Sequence, residues 1–496
     1  MGSSIHDPVL CTALVDLPSL NLAAFVQACN DHVSSGARVL TLFGRKQSES
    51  AESIVLTAVF QSASVGLIAL QGYAQADASY DALTLKHPAM HIFERELWEQ
   101  TGITPLGHPW LKPVRFEGAR QAHMADYPFF KVRGAEVHEV GVGPIHASVI
   151  EPGHFRFMCL GERVHHLEIQ LGYQHRGVEA LLLQRSAVAL TPLVESIAGD
   201  SSVTYANGYC AAVEALAGVT IADDAALVRG VALELERIAI HLASVTGLAG
   251  DIAFLQGAST YGRLRTAIIN ASMRASGSRF GRGWVRPGGV RFGLDAERRA
   301  DLTSTLAAFV TDLAEINALM LNARTVRPRL QGIGQLPSKA AEELGLWGLV
   351  ARASGLHVDT RTCLPGQLYA QFPAEEHTET GRDCWALLRL RLKEIDASVR
   401  WINRALQSTV LQDKGPSPLP LALRPDHLCA SLCEGPRGPV LHVLETDAHA
   451  KLAHYKVQDP SLQSWFALAM SLRDNDISDF PICNKSFDLS YCGNDL

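Results

Sequence analysis

Residues 223–245 read DDAALVRGVALELERIAIHLASV, and their spacing decides the class of fold. Leu227, Val231, Leu235, Ile238, Leu242 and Val245 recur at intervals of 4, 4, 3, 4 and 3, the rhythm that lines up one face of an α-helix. Asp223 and Asp224 supply the acidic start that favours a helix N-terminus. Leu302, Leu306, Phe309, Leu313, Ile316 and Leu319 repeat the pattern, as do Leu388, Leu392, Ile395, Val399, Ile402 and Leu406. Such helices cannot bury their apolar stripes alone, so together they imply a bundle.

Upstream of the bundle, residues 1–118 alternate helical and strand-like stretches. Ile54–Ala76 carries no charge and is long enough to cross a bilayer. Gln61, Ser62, Ser64, Gly66 and Gln71 interrupt it, so residues 54–60 and 65–70 read as two strands around a polar turn. Residues 119–136 are polar, with Pro128 and Gly134, and read as a connector. The expected architecture is α+β: a small N-terminal α+β domain (1–118), a linker (119–136) and a mainly α-helical bundle domain (137–496).

At 496 residues the chain is long enough for two or three domains. A net charge of −7 gives no support to a nucleic-acid or anionic-membrane partner. Ten cysteines form no CxxC pair and read as reduced thiols; the closest pair, Cys429 and Cys433, lacks a nearby histidine and reads as packing rather than metal ligation. Met1–Asp7 shows no basic segment leading into an apolar one, so no secretory signal is read and a cytoplasmic location is expected. The loop Arg279–Gly289 resembles a phosphate cradle but has Arg286 where GxGxxG needs its third glycine, so NAD binding is not expected.

Several loops then follow one another in a telling order. They are Gly143-Pro144-Ile145-His146, Glu151-Pro152-Gly153-His154-Phe155-Arg156, His175-Arg176-Gly177-Val178-Glu179 and Glu236-Arg237-Ile238-Ala239-Ile240-His241. Arg286-Pro287-Gly288-Gly289-Val290, Arg352-Ala353-Ser354-Gly355 with Asp359-Thr360-Arg361, and Glu434-Gly435-Pro436-Arg437-Gly438 complete the series. No one motif is specific, but in sequence they resemble the large subunits of membrane-bound, energy-converting NiFe hydrogenases of the formate hydrogenlyase type and the quinone-site (49-kDa) subunit of respiratory complex I. The run Phe93–Pro109 is similar to the complex I 30-kDa subunit, so the resemblance covers the fusion of both.

The departures matter as much. In the hydrogenases two CxxC pairs hold nickel and iron through four thiolates, soft ligands suited to that centre. At the matching positions of Glu195–Ser201 and Ser486–Leu496 this chain has Ala198, Ser201, Ser490 and Gly493, and Cys492 falls one residue away. Neither alanine nor glycine offers a donor atom, and a serine hydroxyl ionises far less readily than a thiol. The sequence ends at Leu496, so a C-terminal tail of the kind that hydrogenase maturation removes is not expected. The comparison with complex I places Gly199 where a quinone-contacting tyrosine is expected, while His154 matches the quinone-contacting histidine.

What the resemblance implies for individual residues can be set beside plainer alternatives. Glu179 matches a proton-passing glutamate; the alternative is a salt bridge to Arg176 or Arg185. His154 and His146 either line a quinone cavity, with His154 as a further relay, or bond backbone carbonyls. Asp359 and Arg437 line the cavity of the relatives. Arg237 and His241 lie four apart on α-helical spacing, which suits either a polar network inside the bundle or a solvated face, and the solvated face is the preferred reading.

The function expected is a subunit of a hydrogenase-related, complex I-like membrane oxidoreductase that couples electron transfer, with quinone as one acceptor, to proton or ion movement without its own NiFe centre. A non-catalytic docking module between the peripheral and membrane arms is one alternative, and an active hydrogenase with an unusual metal site is another. No cofactor is expected on this chain; iron-sulfur clusters belong to partners. Those partners are an iron-sulfur small subunit, a ferredoxin-like subunit and antiporter-like membrane subunits, which would hold the chain peripherally on the cytoplasmic side of the membrane.

Overall fold

The computed structural model describes residues 7–47, 52–120, 123–134, 136–147, 149–411 and 421–496, so Met1–His6 and the Lys414–Pro418 loop lie outside the described residues. With 46% helix and 19% strand, the chain is a mixed α+β protein.

Strand β1 (Val9–Ala13) precedes β2 (Ser19–Asn21), helix α1 (Leu22–Ser34), β3 (Arg38–Lys46), β4 (Ser53–Ser62) and β5 (Gly66–Gln75). Strands β2 to β5 form one sheet in the order β2-β5-β4-β3. The charge-free run Ile54–Ala76 is the β4–β5 hairpin, registered from Ser53↔Gln75 to Ser62↔Gly66. Gly66 supplies the positive φ of 87° at its turn, a conformation that a side chain disfavours. β6 (Ser79–Asp81), α2 (His91–Thr101) and β7 (Thr104–Leu106) follow, with β6 and β7 paired in parallel and α2 packed on β3. Between 119 and 136 the described residues hold only one short 3-10 turn, Met124–Asp126.

β8 (Val137–Val142), β9 (His154–Leu160) and β10 (Arg163–Gln170) make an antiparallel sheet with β9 central. Short helices α3 (Val178–Leu182) and α4 (Thr191–Val194) lead into α5 (Ser202–Ala217), α6 (Asp223–Asp251) and α7 (Leu255–Ser276). The ribbon β11 (Val285–Arg286) and β12 (Gly289–Val290) precedes α8 (Ala296–Asn322). Four short helices, α9 (Ser338–Glu343), α10 (Gly348–Ala353), α11 (Thr360–Cys363) and α12 (Gly366–Gln371), then precede α13 (Cys384–Leu406). β13 (His427–Glu434), β14 (Pro439–Thr446), β15 (Leu452–Gln458), α14 (Ser461–Ser471), α15 (Phe480–Phe487) and α16 (Tyr491–Asp495) close the chain.

Helices α6, α8 and α13 are the three foretold by periodicity, and α6 begins at Asp223. The side chains of Asp295 and Asp383 cap α8 and α13 by accepting from Arg298 and Ala386 N–H groups. One expected core residue is misplaced: Leu319 is 62% exposed, and Met320 takes its place in the core. After Ile316 the next inward position falls four residues on, because 3.6 residues per turn cannot be matched by steps of three alone. Helix α7 escaped periodicity because its inward residues include Ala271, Ser272, Ala275 and Ser276, which carry no hydrophobic signal as strong as leucine.

The preferred solvated-face reading of Arg237 and His241 is overturned, since they are 0% and 1% exposed. Helix α6 packs against α5, α7, α13 and α15, which leaves that face no water. The C-terminal sheet, ordered β1-β13-β14-β15, was also not foreseen. β13 reads LCASLC between its end residues, a nearly continuous apolar run that suits a strand buried on both faces. Helix α5 covers one side, while Phe43 of β3 stacks on His454 of β15 with ring centroids 4.9 Å apart. Strand β1 belongs to this sheet, pairing with β13, rather than to the sheet that follows it in sequence.

Candidate functional site

Three of the loops singled out by the sequence meet at one place. Gly199-Asp200-Ser201 lies just before α5, Asp488-Leu489-Ser490 lies between α15 and α16, and Arg437 stands on the β13–β14 turn. That turn is closed by the Gly435 N–H donating to Gly438 O at 2.8 Å. Arg437 Nη2 lies 2.6 Å from Asp200 Oδ2 and 3.4 Å from Asp488 Oδ2, and its Nη1 is 3.4 Å from Ser201 Oγ. Arg437 Nε also donates to the backbone oxygen of Asp488, while Ser244 of α6 and Lys485 hold the Asp488 carboxylate. Despite burial, the two carboxylates hold the guanidinium firmly protonated. Arg176 adds a second tie, donating to the carbonyls of Ser196, Ile197 and Cys492.

The four positions expected from the sequence resemblance to match thiolate ligands hold Ala198, Ser201, Ser490 and Gly493. Ala198 is fully buried and offers no donor atom. Ser201 Oγ takes the contact from Arg437, and Ser490 Oγ caps α16 by accepting from Gly493 N–H at 2.9 Å. At Gly493 a side chain has no room: a Cβ there would stand 2.4 Å from Asp459 Oδ2. Asp459 is fixed by Tyr205 O–H at 2.6 Å and by Ser461 N–H at 2.7 Å. Cys492 keeps its proton, since burial pushes its thiol up to about 11. These residues do not fit a four-thiolate metal centre.

Glu179 sits in the first turn of α3, after Gly177 in the left-handed conformation. Neither Arg176 nor Arg185 is its partner. Its carboxylate lies 3.0 Å from Lys456 Nζ and accepts from Val457 N–H at 3.0 Å. Lys456 Nζ also lies 2.6 Å from Glu96, which pairs with Arg115, so a line of four charges runs from α3 into the N-terminal region. Burial raises the Glu179 carboxyl above the usual range, with the Lys456 ammonium pulling against it. Burial acts on Glu96 in the same direction, yet Arg115 and Lys456 outweigh it and hold that carboxyl low.

His146 and His154 each commit a ring nitrogen to a backbone carbonyl, Gly153 O at 2.8 Å and Gly143 O at 3.0 Å. Among the described residues no hydrogen bond or ion pair joins either one to Glu179. Asp359 caps α11 and lies with Arg361 (2.6 Å) and Arg352 (3.2 Å), with no hydrogen bond or ion pair to Arg437 among the described residues. The same network takes in Glu234, Arg237, His241, Glu394 and Glu434. His241 Nε2 lies 2.7 Å from Glu394, and its burial depresses the imidazole to about 4, so the ring is neutral and donates. Glu236 bonds Val203 N–H, Thr204 N–H and the Thr204 hydroxyl, and burial pushes its carboxyl up to about 7.

Sequence reasoning missed Asp459, Lys456 and Glu96. A signal was present for Lys456, a lone cation in the strand LAHYKVQ of β15, whose second half is buried. Asp459 gave none, and Glu96 lay within the Phe93–Pro109 run with nothing to mark it apart; only the folded chain brings them beside Gly493 and Lys456.

Comparison with known proteins now bears on identity. Residues 251–417 match the family model described as the respiratory-chain NADH dehydrogenase 49 Kd subunit. Formate hydrogenlyase subunit 5 of Escherichia coli (strain K12) is 27% identical over 435 residues, covering 83% of this chain and 76% of that protein. Hydrogenase-4 component G of the same organism is 26% identical, covering 86% and 77%. An NADH-quinone oxidoreductase subunit of Dehalococcoides mccartyi (strain ATCC BAA-2266 / KCTC 15142 / 195) is 30% identical, covering 66% and 90%. The chain therefore belongs to the energy-converting hydrogenase and complex I family, and within it carries a 49-kDa-type domain of an oxidoreductase subunit.

Proposed function

We propose that this chain is the large subunit of a complex I-like membrane oxidoreductase that couples electron transfer to proton or ion movement without a NiFe centre of its own. One observation carries the reading: the Asp459 carboxylate fills the space that a side chain at Gly493 would need, so a side chain there would have to displace Asp459 from its bonds with Tyr205 and Ser461. Ala198, and the commitment of Ser201 and Ser490 to other partners, support it. Glu179 serves as a proton relay in this proposal. Its raised carboxyl and its ammonium neighbour Lys456 support that role, because a proton shared along Lys456 and Glu96 can move when nearby charge changes. A quinone is the proposed acceptor, met by the ring nitrogens that His146 and His154 do not spend on backbone; a His154→Ala complex that reduces quinone at the parental rate would remove it.

The proposed partners are an iron-sulfur small subunit, a ferredoxin-like subunit and antiporter-like membrane subunits, with the chain peripheral on the cytoplasmic face. The division into 1–118, 119–136 and 137–496 belongs to the same proposal, with β1 as a tie from the first unit into the sheet of the last.

The test is metal and acid-labile sulfide analysis, with paramagnetic spectra, on the membrane complex purified through a tag on this chain. Iron and sulfide without nickel are expected. Stoichiometric nickel would overturn the reading and restore a hydrogenase. A second reading, a docking module without redox substrate, is favoured by the double tie of Arg437 and Arg176 that closes the two loops on each other. A complex with no iron would select it.

A further inference from the structure

Cys429 and Cys433 are four residues apart on β13, which at about 3.3 Å per residue separates them by about 13 Å, too far to share a metal ion. Cys429 instead faces a thiol from the other end of the chain. In the antiparallel pairing of β1 with β13, Cys11 is the direct register partner of Cys429. Residues directly opposite in such a ladder have Cα atoms about 4.5 or 5.5 Å apart, and both values lie within the roughly 4.4–6.8 Å that a disulfide spans.

The two thiols differ in the way a reactive pair requires. Cys11 is half-buried on an edge strand, and Arg424 Nη2 stands 3.5 Å from its sulfur. A cation beside a partly exposed sulfur favours the thiolate, the nucleophilic form. Contact with Cys429, then the Arg424 charge, lower the Cys11 thiol below its ordinary value. Cys429 is buried, and burial raises its thiol. The contrasting pair Cys384 and Cys483, with sulfurs 4.0 Å apart, is buried on both sides and has no cation at either sulfur among its hydrogen-bonding partners.

We propose that Cys11 and Cys429 are a redox-active pair whose disulfide, formed by hydrogen peroxide, staples β1 to the C-terminal sheet. The Cys11 thiolate attacks one peroxide oxygen, the O–O bond breaks, and hydroxide leaves and takes up a proton as water. Cys429 then attacks the resulting sulfenic sulfur, giving up its proton as a second water departs. Two thiols and one peroxide become one disulfide and two waters, and a dithiol reductant reverses the step by exchange.

The staple has a structural consequence. Asp7, Pro8 and Val9 form one wall of a cavity of about 170 Å³ whose floor includes Thr360, Cys433 and Glu434. Edge pairing holds that wall, including Leu432 N–H donating to Pro8 O at 2.9 Å, and edge strands near a terminus open readily. The disulfide keeps the wall shut.

The test is peptide mapping of the full chain after hydrogen peroxide, with alkylation under denaturing conditions. The expected result is the loss of two alkylatable thiols and a linked Cys11–Cys429 peptide, reversed by dithiothreitol and abolished in Cys11→Ser and in Cys429→Ser, with Cys384 and Cys483 still alkylatable. Recovery of Cys429 as a free thiol while Cys11 is over-oxidised, or of both as free thiols, would overturn the pair. In the native protein, alkylation of Cys433 should slow after oxidation; an unchanged rate with the disulfide present would overturn the role of β1 as a wall.

Discussion

Two clusters of charge adjoin at the β13–β14 turn, where Arg237 bonds the carbonyls of Glu434 and Gly435, and they are built differently. The bundle network of Glu234, Arg237, Arg352, Asp359, Arg361, Glu394 and Glu434 joins α6, α10, α11, α13 and β13, with every side chain at 5% exposure or less. The loop cluster of Asp200, Arg437 and Asp488 ties together three loops, and its Asp200 side chain is 41% exposed. Charges sealed in a bundle need their partners absolutely, because an unpaired ion there has no water to turn to. Charges at the rim keep partial access to solvent, so that cluster is the place where residues can change without unfolding the chain.

Substitutions separate the two clusters by size of effect. Arg352→Met strips Glu394, Asp359 and Glu434 of their common cation, and urea unfolding should show a loss of about 3–5 kcal/mol. If Arg352→Met unfolds at the parental urea midpoint, the bundle network is no more demanding than the loops.

Glu236 stands between the clusters, on α6 but bonded to the residues that follow the first loop. Its carboxyl moves from 4.5 to about 7 on folding, so the native state holds the proton more tightly than the unfolded chain does. The stability it contributes is complete below pH 4.5 and is lost as pH rises through about 7. That loss should be about 3 kcal/mol, and Glu236→Gln should flatten this part of the pH profile. An unaltered slope in the variant would assign the pH dependence to another group.

Gly493→Ala drives a methyl group into Asp459 and should cost about 1–3 kcal/mol. Pairing it with Asp459→Ala should cost less than the sum of the two changes, which a double-mutant cycle reads directly. Arg437→Ala should cost about 1–2 kcal/mol, because Asp200 is half-exposed and Asp488 keeps Lys485 and Ser244 as partners. A loss as large as that of Arg352→Met would erase the distinction between the clusters. Leu319→Glu, on the open face of α8, should shift stability by no more than about 0.5 kcal/mol in thermal unfolding.

The same contrast governs what could be read in advance. Helices α6, α8 and α13 were legible because leucine, isoleucine and valine recur at helical spacing, a property of neighbours along the chain. The β4–β5 hairpin was legible from a polar turn between two apolar runs. Arg237 and His241 were misread because a polar pair on a helix has the same spacing whether water or another helix lies beside it. Glu179 was legible as a candidate, but its partner Lys456 is 277 residues away in sequence.

By itself the sequence determined the helices, the hairpin and the family, since each depends on residue type at a fixed spacing. Only the tertiary structure decided that Arg437 would bridge Asp200 and Asp488, that Asp459 would fill the space beside Gly493, and that Cys11 would meet Cys429. Those outcomes depend on distances between segments tens to hundreds of residues apart, which close packing sets and periodicity along the chain does not record.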